Sequence, residues 1–186
     1  MEKELIDSAS KGDRHAFRHL VDTHQRFVLL TARRFVYDMD DAADIAQEVF
    51  LKLWNNLPGY NINMKLTTWL YKIVVNQCLD TLKSKTYRQR KASTSIDMHL
   101  ETPSMLNAEQ QMEDREFADI VHALCKQLTP KQQAVFILRD VEGLSVEEVM
   151  AILSMNAGNI KSNLYHARKQ MHEWLKLHYE PKIQAT

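Results

Sequence analysis

Residues 143–171, GLSVEEVMAILSMNAGNIKSNLYHARKQM, contain the pattern that decides the fold. Ser145 is followed three positions later by Glu148, a capping box that starts a short helix. The inward side chains of that helix are Val149, Ile152 and Leu153. A turn over 154–158 leads to a longer helix, whose predicted buried stripe is Ile160, Leu164, Ala167, Met171 and Trp174. A short helix, a brief turn containing glycine and a longer helix form a helix-turn-helix.

Helical patterns also precede this motif. Thr129-Pro130-x-Gln132 predicts a capped helix running through Val135 and Leu138, and Gly143 ends it. In the first half, Asp13 caps a helix with apolar positions Phe17, Leu20, Val21, Phe27, Val28 and Phe35. A second helix spans about 40–54 with Ala42, Ile45, Val49 and Leu53 inward, and Pro58-Gly59 follows it as a break. A third spans about 67–85 and buries Leu66, Leu70, Ile73 and Val74.

The predicted fold is all-α, with two small helical domains joined by a flexible linker and a helix-turn-helix in the C-terminal domain. A polar segment rich in Ser, Thr, Pro and Met interrupts the helical periodicity after residue 92. The predicted divisions are a domain over 1–92, a linker over 93–112, a domain over 113–178 and a tail over 179–186.

Composition indicates an ordinary globular protein. Of the 186 residues, 45% are apolar and 26% are charged, with only four glycines and four prolines, which excludes disordered and fibrous classes. The N-terminus has no apolar core of a signal peptide, and no apolar run approaches the roughly 20 residues of a membrane span. Two distant cysteines, Cys78 and Cys125, favour a reducing compartment. We therefore expect a cytoplasmic protein.

The neutral total charge, 24 basic against 24 acidic residues, conceals a partition along the chain. The first basic cluster contains Lys65, Lys72, Lys83, Lys85, Arg88, Arg90 and Lys91, opposed by Asp80. A second lies on the last helix, and acids cluster over 38–48 and 109–119. One charged run is usually a solvated helix face. Two basic runs that coincide with independent motifs favour nucleic-acid binding.

Helical periodicity predicts which residues of each basic cluster share one helix face. On the last helix, the face opposite the apolar stripe holds Lys161, Ser162, Tyr165, His166 and Lys169, side chains suited to base edges and phosphates. On the third helix, one polar stripe holds Trp69, Lys72, Asn76, Asp80 and Lys83. Trp69 beside Lys and Asn fits a surface where a base stacks, although tryptophan is more often a core residue. The sequence leaves both interpretations of Trp69 open.

The motifs of common enzymes are missing from the chain. The four glycines stand alone, so there is neither a phosphate-binding loop nor a dinucleotide motif, and no G-x-S-x-G occurs. His15 and His19 are one helical turn apart, but no well-placed third ligand accompanies them. Cys78 fits a plain buried thiol better than a redox switch. We expect no catalysis, metal, cofactor or small-molecule substrate.

Three segments in order resemble the extracytoplasmic-function (ECF) subgroup of sigma-70 type bacterial transcription initiation factors. DDAADIAQEVFLKLW (40–54) resembles the helix that binds core RNA polymerase. TTWLYKIVVNQCLDTLKSK (67–85) resembles the helix that melts and reads the minus-10 promoter element, and residues 143–171 resemble the helix-turn-helix that reads the minus-35 element. The likeness covers nearly the whole chain apart from the linker.

The resemblance assigns roles to individual residues. Those implied to bind core RNA polymerase are Asp44, Gln47, Glu48, Leu51 and Trp54. Those implied at minus-10 DNA are Tyr60, Asn61, Lys65, Thr67, Trp69, Lys72, Asn76, Lys83, Lys85, Arg88 and Arg90. Those implied at minus-35 DNA are Asn159, Lys161, Ser162, Asn163, Tyr165, His166, Arg168 and Lys169, with Asn163, Arg168 and Lys169 on the DNA backbone. The family also implies an anti-sigma factor, often membrane-bound, that masks both DNA faces.

This chain departs from the family before and within the last helix. Where the family usually has Pro-Val-Gly-Thr, residues 156–159 read NAGN, and Asn156 remains a good helix cap. Asn163 and His166 stand where arginine is common in the family. Fewer fixed charges predict a weaker hold on phosphates and a changed minus-35 preference.

Two alternatives to a sigma factor differ in their partners. A stand-alone helix-turn-helix regulator would bind an operator by itself and use its N-terminal half for sensing or dimerisation. Such a regulator does not need the face formed by Asp44, Gln47, Glu48 and Trp54. A helical protein-protein adaptor is disfavoured by the basic clusters, because it has no need of nucleic-acid affinity.

Overall fold

The structure, a computed structural model, is helical in all its regular elements within the residues it describes. Those residues are 2–36, 38–61, 65–84, 122–123, 125 and 128–178. The chain divides into two compact units, Met1–Ser84 and Lys85–Thr186. The predicted all-α class is confirmed. The boundaries predicted at residues 92 and 112, the linker and the tail lie outside the described residues, so these limits stay predictions.

The first unit is built from four helices and one short turn. They are α1 (Glu2–Ser10), α2 (Arg14–Phe35), α3 (Met39–Asn56), a 3-10 turn (Leu57–Gly59) and α4 (Leu66–Lys83). Helices α2, α3 and α4 pack against one another in pairs, and α1 packs on α2 and on the 3-10 turn. Their shared core includes Leu20, Val28, Phe35, Ala42, Ile45, Val49, Leu53, Leu70 and Val74. The inward stripe predicted for α3 is therefore confirmed in full.

Aspartates start two of these helices. The Asp13 carboxylate accepts hydrogen bonds from the backbone N–H groups of His15 (2.8 Å) and Ala16 (3.2 Å), which confirms the predicted cap of α2. Asp38 caps α3 in the same way. Acidic residues in a first turn are favoured by the helix dipole. Part of the acidic cluster over 38–48 therefore has a local structural role.

The first unit also differs from the sequence prediction. Helix α1 was not predicted, because its only buried apolar side chains are Ile6 and Ala9. It gains stability from packing on α2, where the half-exposed Glu2 lies 3.2 Å from the buried His24 ring. Phe17 and Phe27, which the sequence predicted as apolar positions of the α2 stripe, are only half-buried. In α4 the buried stripe is wider than predicted and also includes Val75, Cys78, Leu79 and Leu82, while Ile73 is half-buried.

The second unit contains the predicted helix-turn-helix. Its described helices are α5 (Pro130–Phe136), which continues into a π-helical turn (Ile137–Val141), α6 (Val146–Leu153) and α7 (Ala157–His178). Both α5 and α6 pack on α7. The core includes Ala134, Val135, Ile137, Leu138, Val149, Ile152, Ile160, Ala167 and Met171. The π turn was not predicted; the sequence pattern indicated one α-helix through Leu138.

Local hydrogen bonds explain where these helices begin and end. Thr129 and Ser145 each form a complete capping box, with Gln132 and Glu148 as the reciprocal partners, as predicted. Gly143 has a φ of 68°, which glycine adopts without strain. In the turn of the helix-turn-helix, Asn156 caps α7 by accepting from Asn159 N–H at 2.8 Å. Among the described helices, none combines the length and apolarity needed to cross a membrane.

The exposure of two neighbouring leucines on α3 yields a stability prediction. Leu53 is fully buried and Leu51 is 57% exposed. Leu53→Ala should lower the free energy of unfolding by about 2–5 kcal/mol, because it leaves a cavity in the core. Leu51→Ala should change it by less than about 0.5 kcal/mol. Urea unfolding of the full chain, followed by circular dichroism, measures both, and equal losses would contradict this packing.

Candidate functional site

The residues that the sequence assigned to a protein partner form one exposed stripe on α3. Asp44, Gln47, Glu48 and Leu51 recur at steps of three and four, so they share one helix face. All four are exposed, and the buried stripe lies on the other side of the helix. Leu51 is one of two large apolar side chains that are exposed in the described part of the chain. We call these four residues the α3 outer stripe.

Trp54, which the sequence assigned to the same partner, makes an aromatic contact within the first unit. It is half-buried, and its ring meets Phe17 of α2 edge-on, with centroids 4.8 Å apart and planes at 64°. Edge-to-face contact of this kind is a favourable aromatic geometry. Trp54 therefore ties the C-terminal end of α3 to α2 at the edge of the stripe.

Two residues assigned to minus-10 DNA form a stacked aromatic pair. Tyr60 follows the 3-10 turn and Trp69 lies in the first turn of α4. Their ring centroids are 4.9 Å apart and their planes are inclined by 28°. Both are half-buried, so Trp69 is neither a full core residue nor a free surface side chain. Tyr60 is stacked on the indole ring, and a base-stacking role of Trp69 stays a prediction.

Helix α1 influences this aromatic pair through Tyr60. Partial burial raises the pKa of the Tyr60 hydroxyl above its usual value of 10, and the nearby Glu2 carboxylate raises it further. Both effects disfavour the phenolate. The phenol therefore remains neutral at physiological pH and keeps its O–H as a hydrogen-bond donor.

The other minus-10 candidates that the structure describes occupy exposed positions before and along α4. Asn61, Lys65, Thr67, Lys72, Asn76 and Lys83 are all exposed. Lys83 lies 3.7 Å from Asp80, so part of its charge is compensated within α4. Lys85, Arg88 and Arg90 lie outside the described residues, and their roles stay predictions.

The minus-35 candidates lie on the outer face of α7. Exposed side chains there are Asn159, Lys161, Ser162, Tyr165, His166, Arg168 and Lys169. Tyr165 is 64% exposed, and the His166 ring stands edge-on to it at 5.5 Å. A shallow depression is lined by Lys161, Leu164, Tyr165, Arg168 and Lys169. Asn163 is half-buried, and its amide donates to the Asn159 carbonyl at 2.8 Å, within the helix itself.

Arg168 has a partner that sequence reasoning missed. Its guanidinium donates two hydrogen bonds to the Asp140 carboxylate, Nε to Oδ2 at 2.8 Å and Nη2 to Oδ1 at 2.6 Å. The hydrogen bonds and the charge of Asp140 raise the pKa of Arg168. The two residues are 28 positions apart and on different elements, so no local periodicity relates them.

The two histidines that the sequence considered as metal ligands lie on α2. The part of the chain that the structure describes contains no group of three or more His, Cys, Asp or Glu side chains that could hold a metal ion. His15 and His19 are both exposed on α2. The candidate surfaces among the described residues are the α3 outer stripe, the Tyr60–Trp69 pair with the exposed polar residues of α4, and the outer face of α7.

Comparison with family models places both halves of the chain in one family. Sigma-70 region 2 matches residues 20–88, and Sigma-70, region 4 matches residues 118–171. The α3 outer stripe and the aromatic pair lie within the first match, and α7 begins within the second.

Relatives that align over most of the chain are RNA polymerase sigma factors. The chain is 30% identical to the ECF RNA polymerase sigma-E factor of Escherichia coli K12, over 89% of each chain. It is 25% identical to the ECF RNA polymerase sigma factor SigW of Bacillus subtilis, covering 95% of this chain and 97% of SigW. It is 27% identical to the RNA polymerase sigma-H factor of Pseudomonas aeruginosa over 90% of each.

Two solved structures share the fold. CnrH, solved in complex with the cytosolic domain of CnrY, aligns with a TM-score of 0.65 at 21% identity, covering 95% of this chain and 98% of CnrH. The sigma factor RpoE of Bartonella quintana, solved with the anti-sigma factor NepR, aligns with a TM-score of 0.62 at 24% identity, covering 87% of this chain and 98% of RpoE.

Cys78 lies on the buried side of α4, and its burial predicts an unreactive thiol. The side chain is fully buried, and this burial raises the pKa of the thiol well above its usual value. Since the thiolate is the reactive form, a thiol reagent at about pH 8 should not label Cys78 in the native chain and should label it in urea. Cys125→Ala isolates Cys78 for this measurement. Rapid labelling of the native variant would contradict the packing of α4.

Proposed function

The chain belongs to the ECF group of sigma factors, the promoter-specificity subunits of bacterial RNA polymerase, and we propose that it divides promoter recognition among its three exposed surfaces. The single observation that carries this proposal is the match of both sigma regions to the two units that bear these surfaces. In this role the chain acts by binding and performs no chemistry of its own. It works in the cytoplasm, where the polymerase transcribes the chromosome.

The α3 outer stripe contacts core RNA polymerase in this proposal. Its acids and Gln47 offer hydrogen-bond acceptors to a basic partner, and Leu51 adds an apolar side chain that is 57% exposed. Interfaces commonly combine an apolar anchor with a polar rim. Trp54, whose ring contacts Phe17, follows Leu51 by three residues and extends the stripe toward the C-terminal end of α3.

The Tyr60–Trp69 pair captures unpaired bases of the minus-10 element. Stacking on an aromatic ring contributes about 1–3 kcal/mol per base, which offsets the few kcal/mol needed to unstack it. Because Tyr60 already lies against Trp69, the platform needs little further ordering when a base arrives. Lys65 and Lys72 at the N-terminal part of α4 and Lys83 at its C-terminal end are exposed to meet phosphates, and Asn76 offers an exposed amide for hydrogen bonding.

Helix α7 reads the minus-35 duplex from the major groove. The N-terminal part of the second helix of a helix-turn-helix faces the base edges. In α7 that part carries Lys161, Ser162 and Tyr165 on an exposed face. His166 and Tyr165 contact each other, so their rings approach the groove as one unit.

An anti-sigma factor is the expected regulatory partner. CnrH and RpoE, which share the fold, were solved with the cytosolic domain of CnrY and with the anti-sigma factor NepR. We propose that this chain is held by an anti-sigma factor of the same kind, and that this partner masks the DNA-binding faces. The stand-alone regulator is not supported, because the relatives align over nearly the whole chain, α3 included.

Run-off transcription tests the proposed function directly. Purified core polymerase plus this chain should transcribe from a library of promoter fragments with varied minus-35 and minus-10 elements, and core polymerase alone should not. The paired variant Gln47→Ala with Glu48→Ala should lose both transcription and co-purification with core polymerase, because it removes the polar centre of the α3 outer stripe.

The control variant is Asp22→Ala, which removes an exposed acid from α2 in the same unit. It should retain binding to core polymerase. If a folded Gln47→Ala, Glu48→Ala variant still binds core polymerase, the α3 outer stripe is not the docking surface. If core polymerase with the unchanged chain does not transcribe, the proposed sigma function is wrong.

The reading face of α7 gives a separate prediction. Lys161→Ala should weaken promoter binding by about 1–3 kcal/mol and alter the base preference at minus-35, since Lys161 faces the base edges. Lys176→Ala, an exposed lysine four turns further along α7, should leave the preference unchanged. Competition among base-substituted promoters measures both. Identical selectivity of the Lys161 variant and the unchanged chain would reject this reading face.

A further inference from the structure

Arg168 lies on the helix face that is proposed to meet DNA. It follows Lys161 by seven residues and Tyr165 by three, spacings that place all three side chains on one side of α7. It also helps to line the shallow depression on that side. From position and charge alone, Arg168 is expected to contact a DNA phosphate.

The guanidinium of Arg168 is instead held by the Asp140 carboxylate. Both oxygens of Asp140 accept from the guanidinium, at 2.6 and 2.8 Å. A bidentate pair of this kind fixes direction as well as distance. It joins the π turn that follows α5 to the middle of α7, over a sequence separation of 28 residues.

The turn that carries Asp140 is itself well anchored. Glu142 N–H donates to the Ile137 carbonyl at 2.9 Å, and Leu144 N–H donates to the Leu138 carbonyl at 3.0 Å. The Arg139 guanidinium donates to the Leu144 carbonyl. The Asp140 side chain is only 23% exposed, against 59% for Arg168. Asp140 therefore offers a fixed point to which a more exposed arginine is tied.

An arginine held in this way contributes little to phosphate binding. The pair has no net charge, so it releases no counterion when DNA arrives, and a phosphate close to the guanidinium also approaches the carboxylate. What the pair can supply is orientation: α7 must enter a groove about 12 Å wide at one angle for its base contacts to form.

We propose that Asp140 is a positioning residue of the minus-35 interface, and that its ion pair with Arg168 braces α7 so that Arg168 orients the recognition helix instead of holding a phosphate. This inference rests on the proposed function of α7 in DNA binding. It assigns a part in promoter recognition to a residue outside the helix-turn-helix.

The salt dependence of promoter binding separates the two roles of Arg168. Each phosphate contact adds about 0.9 to the magnitude of the salt slope, which is the negative slope of log affinity against log salt. With the chain assembled on core polymerase, affinity is measured between about 50 and 200 mM salt on a promoter fragment that supports transcription. Arg168→Met, which keeps the aliphatic stem, should lose roughly three- to ten-fold in affinity with an unchanged slope.

Asp140→Asn provides the decisive comparison, because it removes a negative charge near DNA. A merely electrostatic role of Asp140 predicts tighter binding of this variant. A brace predicts a loss similar to that of Arg168→Met, and the double variant should be no weaker than either single one. The matched control Lys169→Met, a proposed phosphate contact adjacent to Arg168, should lower the magnitude of the slope by about 0.9.

A second measurement needs no DNA. In the full chain, NMR should show a slowly exchanging Nε–H signal for Arg168, which Asp140→Asn abolishes while the remaining spectrum stays that of a folded protein. A salt slope whose magnitude falls for Arg168→Met, or an undiminished affinity for Asp140→Asn, would overturn the brace. If the promoter affinity of the unchanged chain does not depend on the minus-35 element, the proposed function of α7 is wrong, and with it the role of Asp140 in promoter recognition. The NMR signal then tests only whether the ion pair exists in solution.

Discussion

The burial of one apolar stripe on each helix is the constraint on which the other features of this protein depend. In α3, Ala42, Ile45, Val49 and Leu53 are buried, so residues on the opposite side of the helix must face outward. The α3 outer stripe, with Leu51 at 57% exposure, is the result. The same reasoning applies to α7, where burial of Ile160, Ala167 and Met171 turns Lys161 and Tyr165 outward.

The neutral charge of the chain is the sum of surfaces with different tasks. Some acids serve the fold, as Asp13 and Asp38 do by capping helices. Others compensate cations on the proposed DNA faces, Asp80 beside Lys83 and Asp140 on Arg168. These faces consequently carry less net positive charge than a count of Lys and Arg indicates. Such a balance suits a subunit that binds promoters together with a polymerase, because the polymerase supplies further contacts to the DNA.

Much of the fold could be predicted where the cause is local. Capping boxes at Thr129 and Ser145 and the cap at Asp13 depend on residues within three positions, and all three are present. Helix α1 escaped prediction because its stability comes from contact with α2. The π turn after Phe136 escaped as well, since its sequence continues the apolar pattern of an α-helix without interruption.

For the candidate site, the sequence by itself indicated most of the residues that face outward on α3, α4 and α7, because helical periodicity is a property of short segments. The half-buried Trp69 and Asn163 are exceptions. Only the tertiary structure decided which of these side chains meet. It stacked Tyr60 on Trp69, set Trp54 against Phe17, and joined Arg168 to Asp140 over 28 residues. Contacts between distant elements depend on how the helices pack in space, and no short segment of the sequence contains that information.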